Sequence, residues 1–78
     1  MQSNSSTNPY TGLANAIILQ AVKDYRSALK KLSRGRNNKD AKNMKEEVER
    51  FFRSGWFGML TQIDPEMLIR KLQEEVEE

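Results

Sequence analysis

The chain contains no cysteine and no histidine. The first absence rules out disulfides and thiol nucleophiles, and the second removes imidazole as a base. Together they remove the usual zinc and haem ligands. Chemistry would have to come from paired carboxylates, lysine or hydroxyls, so a non-enzymatic protein without metal or cofactor is expected. A chain without cysteine suits a reducing cytoplasm. Long apolar runs are missing as well: the longest run of large aliphatic side chains, Ile17 to Leu19, falls far short of the roughly 20 residues that span a bilayer. Met1 to Asn8 is polar and lacks a basic stretch leading into an apolar one, so no export signal and no membrane partner are expected. Asn4-Ser5-Ser6 matches a glycosylation triplet, but nothing beside it points to secretion. No internal repeat is visible.

Seventy-eight residues make one domain, and a chain of this size buries only about 60 to 65% of the surface its unfolded form exposes. With no disulfide or metal to staple it, its core rarely supplies more than about 3 to 5 kcal/mol. Tight helix packing or self-association must therefore contribute. Aromatic residues are few but gathered: all three phenylalanines and the single tryptophan fall between Phe51 and Phe57. Any core has to be built around that stretch.

In chain order, residues 1 to 11 are rich in serine, asparagine and threonine and offer too little apolar surface to offset the entropy of ordering them. They are expected to form a flexible tail closed by Thr11 as a helix cap. Ile18, Ala21, Val22, Tyr25, Ala28, Leu29 and Leu32 then repeat at helical spacing within an arc of about 120°, predicting a helix over 13–34. Gly35 is expected to end it in the left-handed conformation. A second helix is predicted over 39–54, capped by Asn38 or Asp40, with Ala41, Met44, Val48, Phe51 and Phe52 inward. Lys45 to Glu49 and Glu46 to Arg50 have the spacing of ion pairs. Ser54-Gly55 breaks this helix, and Trp56 to Leu60 should be a kinked continuation or a single turn. Asp64, Pro65 and Glu66 are the residue types favoured at N-cap, N1 and N2. They predict a third helix over 65–76 with Leu68, Ile69, Leu72 and Val76 inward, Ile63 stapled to Leu68, and an acidic end that frays. The expected fold is all-α: an antiparallel helical hairpin closed by the aromatic turn segment and a C-terminal helix.

Three segments resemble known proteins. Ala14 to Arg26 (ANAIILQAVKDYR), followed by Glu49 to Phe57 (ERFFRSGWF) and Leu60 to Asp64 (LTQID), is similar to a group of small uncharacterised helical proteins found in prophages and conjugative elements of Gram-positive bacteria. The resemblance covers about residues 13 to 72, and Phe-Phe-Arg-Ser-x-Trp-Phe is its most specific part. It implies a helical fold and a mobile-element setting. It implies no activity and carries over no functional residue.

Charge is distributed unevenly. Residues 23–45 hold nine basic and two acidic side chains, a balance of +7, whereas 46–78 hold four basic and nine acidic, or −5. Lys23, Arg26, Lys30 and Arg34 fall within about 80° of one another on the first helix, and Arg36, Lys39 and Lys42 extend that patch around the hairpin tip. Such a surface suits phosphates through counterion release. It suits equally a solvated polar face, or pairing with the acidic C-terminal helix of its own or a neighbouring chain. No helix-turn-helix spacing is present to support sequence-specific reading. Trp56 and Phe57 follow the glycine break and are either core or an apolar anchor for a partner, flanked by Arg50 and Arg53. Glu46, Glu47 and Glu49, and Glu74 and Glu75, have the spacing of solvated helix faces. Tyr25 is read as a core residue whose hydroxyl reaches the surface.

The function class left open is binding. The leading expectation is an interaction module of a prophage or related element whose basic hairpin engages nucleic acid or an acidic protein surface. The alternatives are a protein-directed inhibitor of a host or defence protein, and a structural homo-oligomer.

Overall fold

Pro9 opens the first helix in a computed structural model that describes residues 9–35 and 38–77. Helix α1 runs Pro9–Arg34, so it begins earlier than the expected boundary after Thr11. The reason lies in the proline: its fixed φ suits the first helical position, where a missing N–H leaves no bond unmade. Thr11 is therefore inside the helix rather than its cap. The rest of the expected tail, residues 1–8 with the Asn4 triplet, lies outside the described residues. At the other end the helical ladder continues through the Gly35 N–H, which donates to the Lys31 carbonyl at 2.9 Å. Gly35 leaves the helix without a positive φ, contrary to the expected left-handed cap.

Helix α2 spans Lys39–Phe52. Of the two candidate caps, Asn38 serves: its side-chain oxygen accepts the Ala41 N–H at 2.9 Å, and Asp40 sits in the first turn, where its charge suits the helix dipole. Ser54 ends α2 two residues before the expected boundary. Its hydroxyl donates to the Phe51 carbonyl at 2.6 Å and accepts the Phe57 N–H at 3.2 Å. One side chain thus closes one helix and caps the next, so Trp56 to Leu60 forms a separate helix α3, Gly55–Leu60. Among the described residues there are thus four helices rather than the expected three. Helix α4, Pro65–Glu77, starts as its sequence directs, with the Asp64 carboxylate accepting the Glu66 N–H at 3.0 Å. No strand occurs among the described residues.

The cross-helix contacts fix the topology. Tyr25 bonds Glu49 near the end of α2, whereas Ser27, Ala28 and Lys31 lie against Asp40, Ala41 and Met44 near its start. The first two helices are therefore antiparallel. Tyr25 to Gln73 and Arg26 to Glu75 run in the same chain sense, so α4 lies parallel to α1. The Arg53–Glu66 pair brings the start of α4 to the end of α2.

Tyr25, Leu29, Val48, Phe52, Phe57, Ile69 and Leu72 form the buried core, with Ile18, Ala21, Val22, Phe51, Leu68 and Val76 half-buried against it. Ala28 and Ala41 are buried where the hairpin helices approach. Phe52 is the hub, meeting Phe57 at 5.4 Å and Tyr25 at 5.8 Å between ring centroids, both edge to face. Phe51 adds edge-to-face contacts with Phe57 and Trp56, each at 5.6 Å. Met44, expected in the core, keeps 38% of its surface exposed because it sits near the open tip of the hairpin. Ile63 also stays exposed while Leu68 packs inward.

The two neighbouring aromatics of α3 should differ sharply on truncation. Phe57→Ala should cost about 3 to 5 kcal/mol, as much as a core of this size supplies, and abolish cooperative thermal unfolding followed by circular dichroism. Trp56→Ala, at a half-exposed position, should lower stability by about 1 kcal/mol or less.

Candidate interaction surfaces

The outward face of α1 is the basic face. Lys23, Lys30 and Arg34 are exposed there, on the side of the helix opposite Tyr25, Ala28 and Leu29. The two acids within the same segment lie elsewhere: Asp24 and Asp40 line the cleft between α1 and α2, together with Ser27 and Lys31. The negative charge that could neutralise the segment is thus turned away from the ridge. Lys39 and Lys42 are exposed on the first turns of α2, and Arg36 lies outside the described residues.

Arg26 departs from the expected patch. Its Nε and Nη2 donate to the two carboxylate oxygens of Glu75 at 3.0 and 3.2 Å, a bidentate pair that takes this guanidinium off the free surface. The same pair joins the acidic end of α4, helical to Glu77, to α1. Between these helices Arg26, Lys30, Ser33 and Arg34 line an open groove whose far wall is Glu75 and Val76.

The pair of aromatics in α3 divides. Phe57 is buried to 1% exposure and belongs to the core, so it cannot serve as an anchor. In a six-residue helix only one side can face inward, and Ser54 fixes which by capping at Phe57. Trp56, one residue earlier, keeps 55% of its surface exposed, its ring edge to face with Phe51. Arg53, expected to flank it, is held by both oxygens of Glu66 at 2.7 and 3.0 Å. These bonds raise the pKa of Arg53 and lower that of Glu66. Arg50 remains exposed, and the Glu46–Arg50 spacing closes no ion pair.

A polar cluster between α1, α2 and α4 has no counterpart in the sequence reading. Tyr25 is fully buried rather than reaching solvent. Its hydroxyl donates to Glu49 Oε2 at 2.6 Å and accepts from Gln73 Nε2 at 3.1 Å. Lys45 Nζ donates to the same glutamate oxygen at 2.8 Å, and Arg53 stands 3.7 Å from the other. Burial, then the hydrogen bond to Glu49, pushes the phenol well above its ordinary range, so it stays neutral and holds its proton. Burial alone would raise Glu49, but the bonds from Lys45 and Tyr25 and the two nearby cations outweigh it and leave the carboxyl below its ordinary value. The only trace of this cluster in the sequence is the Lys45 to Glu49 spacing, because Tyr25, Glu49 and Gln73 lie far apart in the chain.

Among the described residues no three acidic side chains converge in a way that could hold a metal, and no helix is long and apolar enough to cross a membrane. No protein-family model, curated protein or solved structure matches this chain, so its surfaces are read from their own geometry.

The cluster makes stability depend on acid. With the folded carboxyl of Glu49 held below its ordinary 4.5, its contribution is complete above that value and is lost as pH falls below it through the folded value. The melting temperature should therefore be insensitive to this group between about pH 7 and 5 and decline below about pH 4.5. Tyr25→Phe, which strips one donor from the glutamate and the acceptor from Gln73, should cost about 1 to 3 kcal/mol at neutral pH and reduce that acid-dependent loss.

Proposed function

We propose that this protein is a non-enzymatic binding module whose outer α1 face, with the first turns of α2, holds the phosphate backbone of a nucleic acid. The observation that carries the reading is the separation of charge around α1: Lys23, Lys30 and Arg34 on the ridge, Asp24 turned into the cleft. Lys23 and Arg34 are eleven positions apart, or about 16 Å of helix rise, a span that covers two to three successive phosphates of a strand. Electrostatic contact of this kind needs no base readout. The resemblance of the Glu49 to Phe57 run to proteins of prophages and conjugative elements suggests a mobile-element setting, in the bacterial cytoplasm, and adds nothing on what is bound.

A basic-to-acidic assembly between chains has less to draw on, because Glu75 already binds Arg26 within its own chain. The inhibitor reading draws on the exposed Trp56, since tryptophan and arginine are enriched where binding energy concentrates. Salt-resistant capture of one protein from a host lysate, lost in Trp56→Ala, would favour that reading over nucleic acid.

The test is a binding titration by fluorescence anisotropy against single- and double-stranded oligonucleotides at several salt concentrations. Affinity should fall steeply with salt, by close to one logarithmic unit per unit of log[salt] for each phosphate neutralised. The Lys30→Glu, Arg34→Glu double variant should weaken binding at least tenfold at low salt and flatten the salt dependence by about two contacts. Absence of binding at low salt, or equal affinity in the double variant, contradicts the proposal.

A further inference from the structure

Arg26 belongs to two surfaces at once. It lines the open groove along α1 with Lys23, Ser27, Lys30 and Arg34, and it borders the groove between α1 and α4 whose far wall is Glu75 and Val76. By spacing it sits on the basic ridge, three residues after Lys23 and four before Lys30, positions that neighbour one another on a helix. Its guanidinium is nonetheless turned to Glu75, with Nε and Nη2 donating to the two carboxylate oxygens at 3.0 and 3.2 Å. Both side chains stay half exposed, at 47% and 50%. An ion pair so open to water contributes little energy and is weakened further by salt. Glu75 also stands in an acidic stretch, since four of residues 74–78 are glutamates.

We infer that Glu75 is a built-in competitor for the polyanion held by the α1 face, and that Arg26 is a phosphate contact released only when the nucleic-acid backbone displaces that carboxylate. This rests on the nucleic-acid reading above. The exchange is like for like, because a phosphate offers a guanidinium the same two parallel hydrogen bonds that the carboxylate does. It takes place beside the ridge: Lys30 and Arg34 line the same groove as the Arg26–Glu75 pair, so a strand held by those two cations lies next to it. A polyanion that engages Lys23, Lys30 and Arg34 together presents further phosphates to Arg26 at high local concentration, whereas a lone small anion does not. The pair therefore favours a polymer backbone over isolated anions of the same chemistry, by holding back one cation from the latter. The other bidentate pair of α4, Arg53 with Glu66, gives an internal comparison. Glu66 is nine residues before Glu75, about 13 Å of helix rise, and does not line the basic groove.

Anisotropy titrations of the full chain with a short single-stranded oligonucleotide, from low salt to about 0.1 M, test it in Glu75→Gln, in Glu66→Gln and in Glu75→Gln combined with Arg26→Gln. All three change exposed side chains, and unchanged far-ultraviolet circular dichroism checks the fold. Glu75→Gln should bind at least about threefold tighter than the wild type, with a salt dependence steeper by close to one phosphate contact. Glu66→Gln removes the same charge and also frees an arginine, yet near 0.1 M salt it should stay within about twofold of the wild type, because screening there acts over about 10 Å. Adding Arg26→Gln to Glu75→Gln should return affinity and salt dependence to wild-type values. If the wild type binds but Glu75→Gln binds no tighter, if Glu66→Gln gains as much, or if the double variant keeps the gain, the competition between Glu75 and phosphate for Arg26 is overturned while the α1 reading stands. If neither the wild type nor any variant binds at low salt, both are overturned.

Discussion

The edge-to-face contact between Phe52 and Phe57 is the constraint on which the rest of the domain depends. Phe52 is the last residue of α2 and Phe57 lies in α3, and the rings meet across the turn at Ser54, whose hydroxyl donates to the Phe51 carbonyl and accepts the Phe57 N–H. That turn brings α3 back over the hairpin. It also sets the direction in which the chain leaves toward Asp64, where α4 begins and packs its Ile69 and Leu72 against the same core. With Tyr25 completing the aromatic group from α1, three of the four helices converge on Phe52. In a chain with so little core, losing this junction would remove most of what holds the elements together.

Around that apolar junction the polar contacts act as guides to register. Tyr25, Glu49 and Gln73 tie α1, α2 and α4 at one level, and the Arg26–Glu75 and Arg53–Glu66 pairs mark the two ends of α4. The latter two are exposed and contribute little energy individually. Their value is geometric: one ties the start of α4 to the end of α2 and the other ties its last turns to the middle of α1, which together set α4 parallel to α1. The buried Tyr25–Glu49 bond is different, since a carboxylate there must be matched or the helices cannot close over it. The same arrangement decides which cations remain free: Arg26 and Arg53 are occupied, and Lys23, Lys30, Arg34, Lys39 and Lys42 face solvent.

The helical pattern was largely legible in the sequence, because apolar spacing in α1, α2 and α4 and the Asp64-Pro65 start are local signals. So were the Ser54-Gly55 break and the outward position of Lys23, Lys30 and Arg34. What was not legible depended on contacts distant in the chain or on competing local bonds. Periodicity cannot say that the Tyr25 hydroxyl is buried against Glu49, that Glu75 reaches Arg26, or that Met44 falls beside an open tip. The division between Trp56 and Phe57 was undetermined for a related reason: a six-residue helix has too few positions to show a stripe, and only the Ser54 cap fixes its rotation. The early start of α1 was signalled by Pro9, but the surrounding polar residues masked it.

The central claim is that the outer face of α1 is where this protein meets a polyanion. The most direct measurement is a titration of the isotopically labelled protein with a short oligonucleotide at low salt, followed residue by residue by nuclear magnetic resonance. The account predicts amide and side-chain shifts concentrated at Lys23, Lys30, Arg34, Lys39 and Lys42, with the Trp56 indole unmoved. Shifts centred on Trp56 and Met59, or none at all, would contradict it.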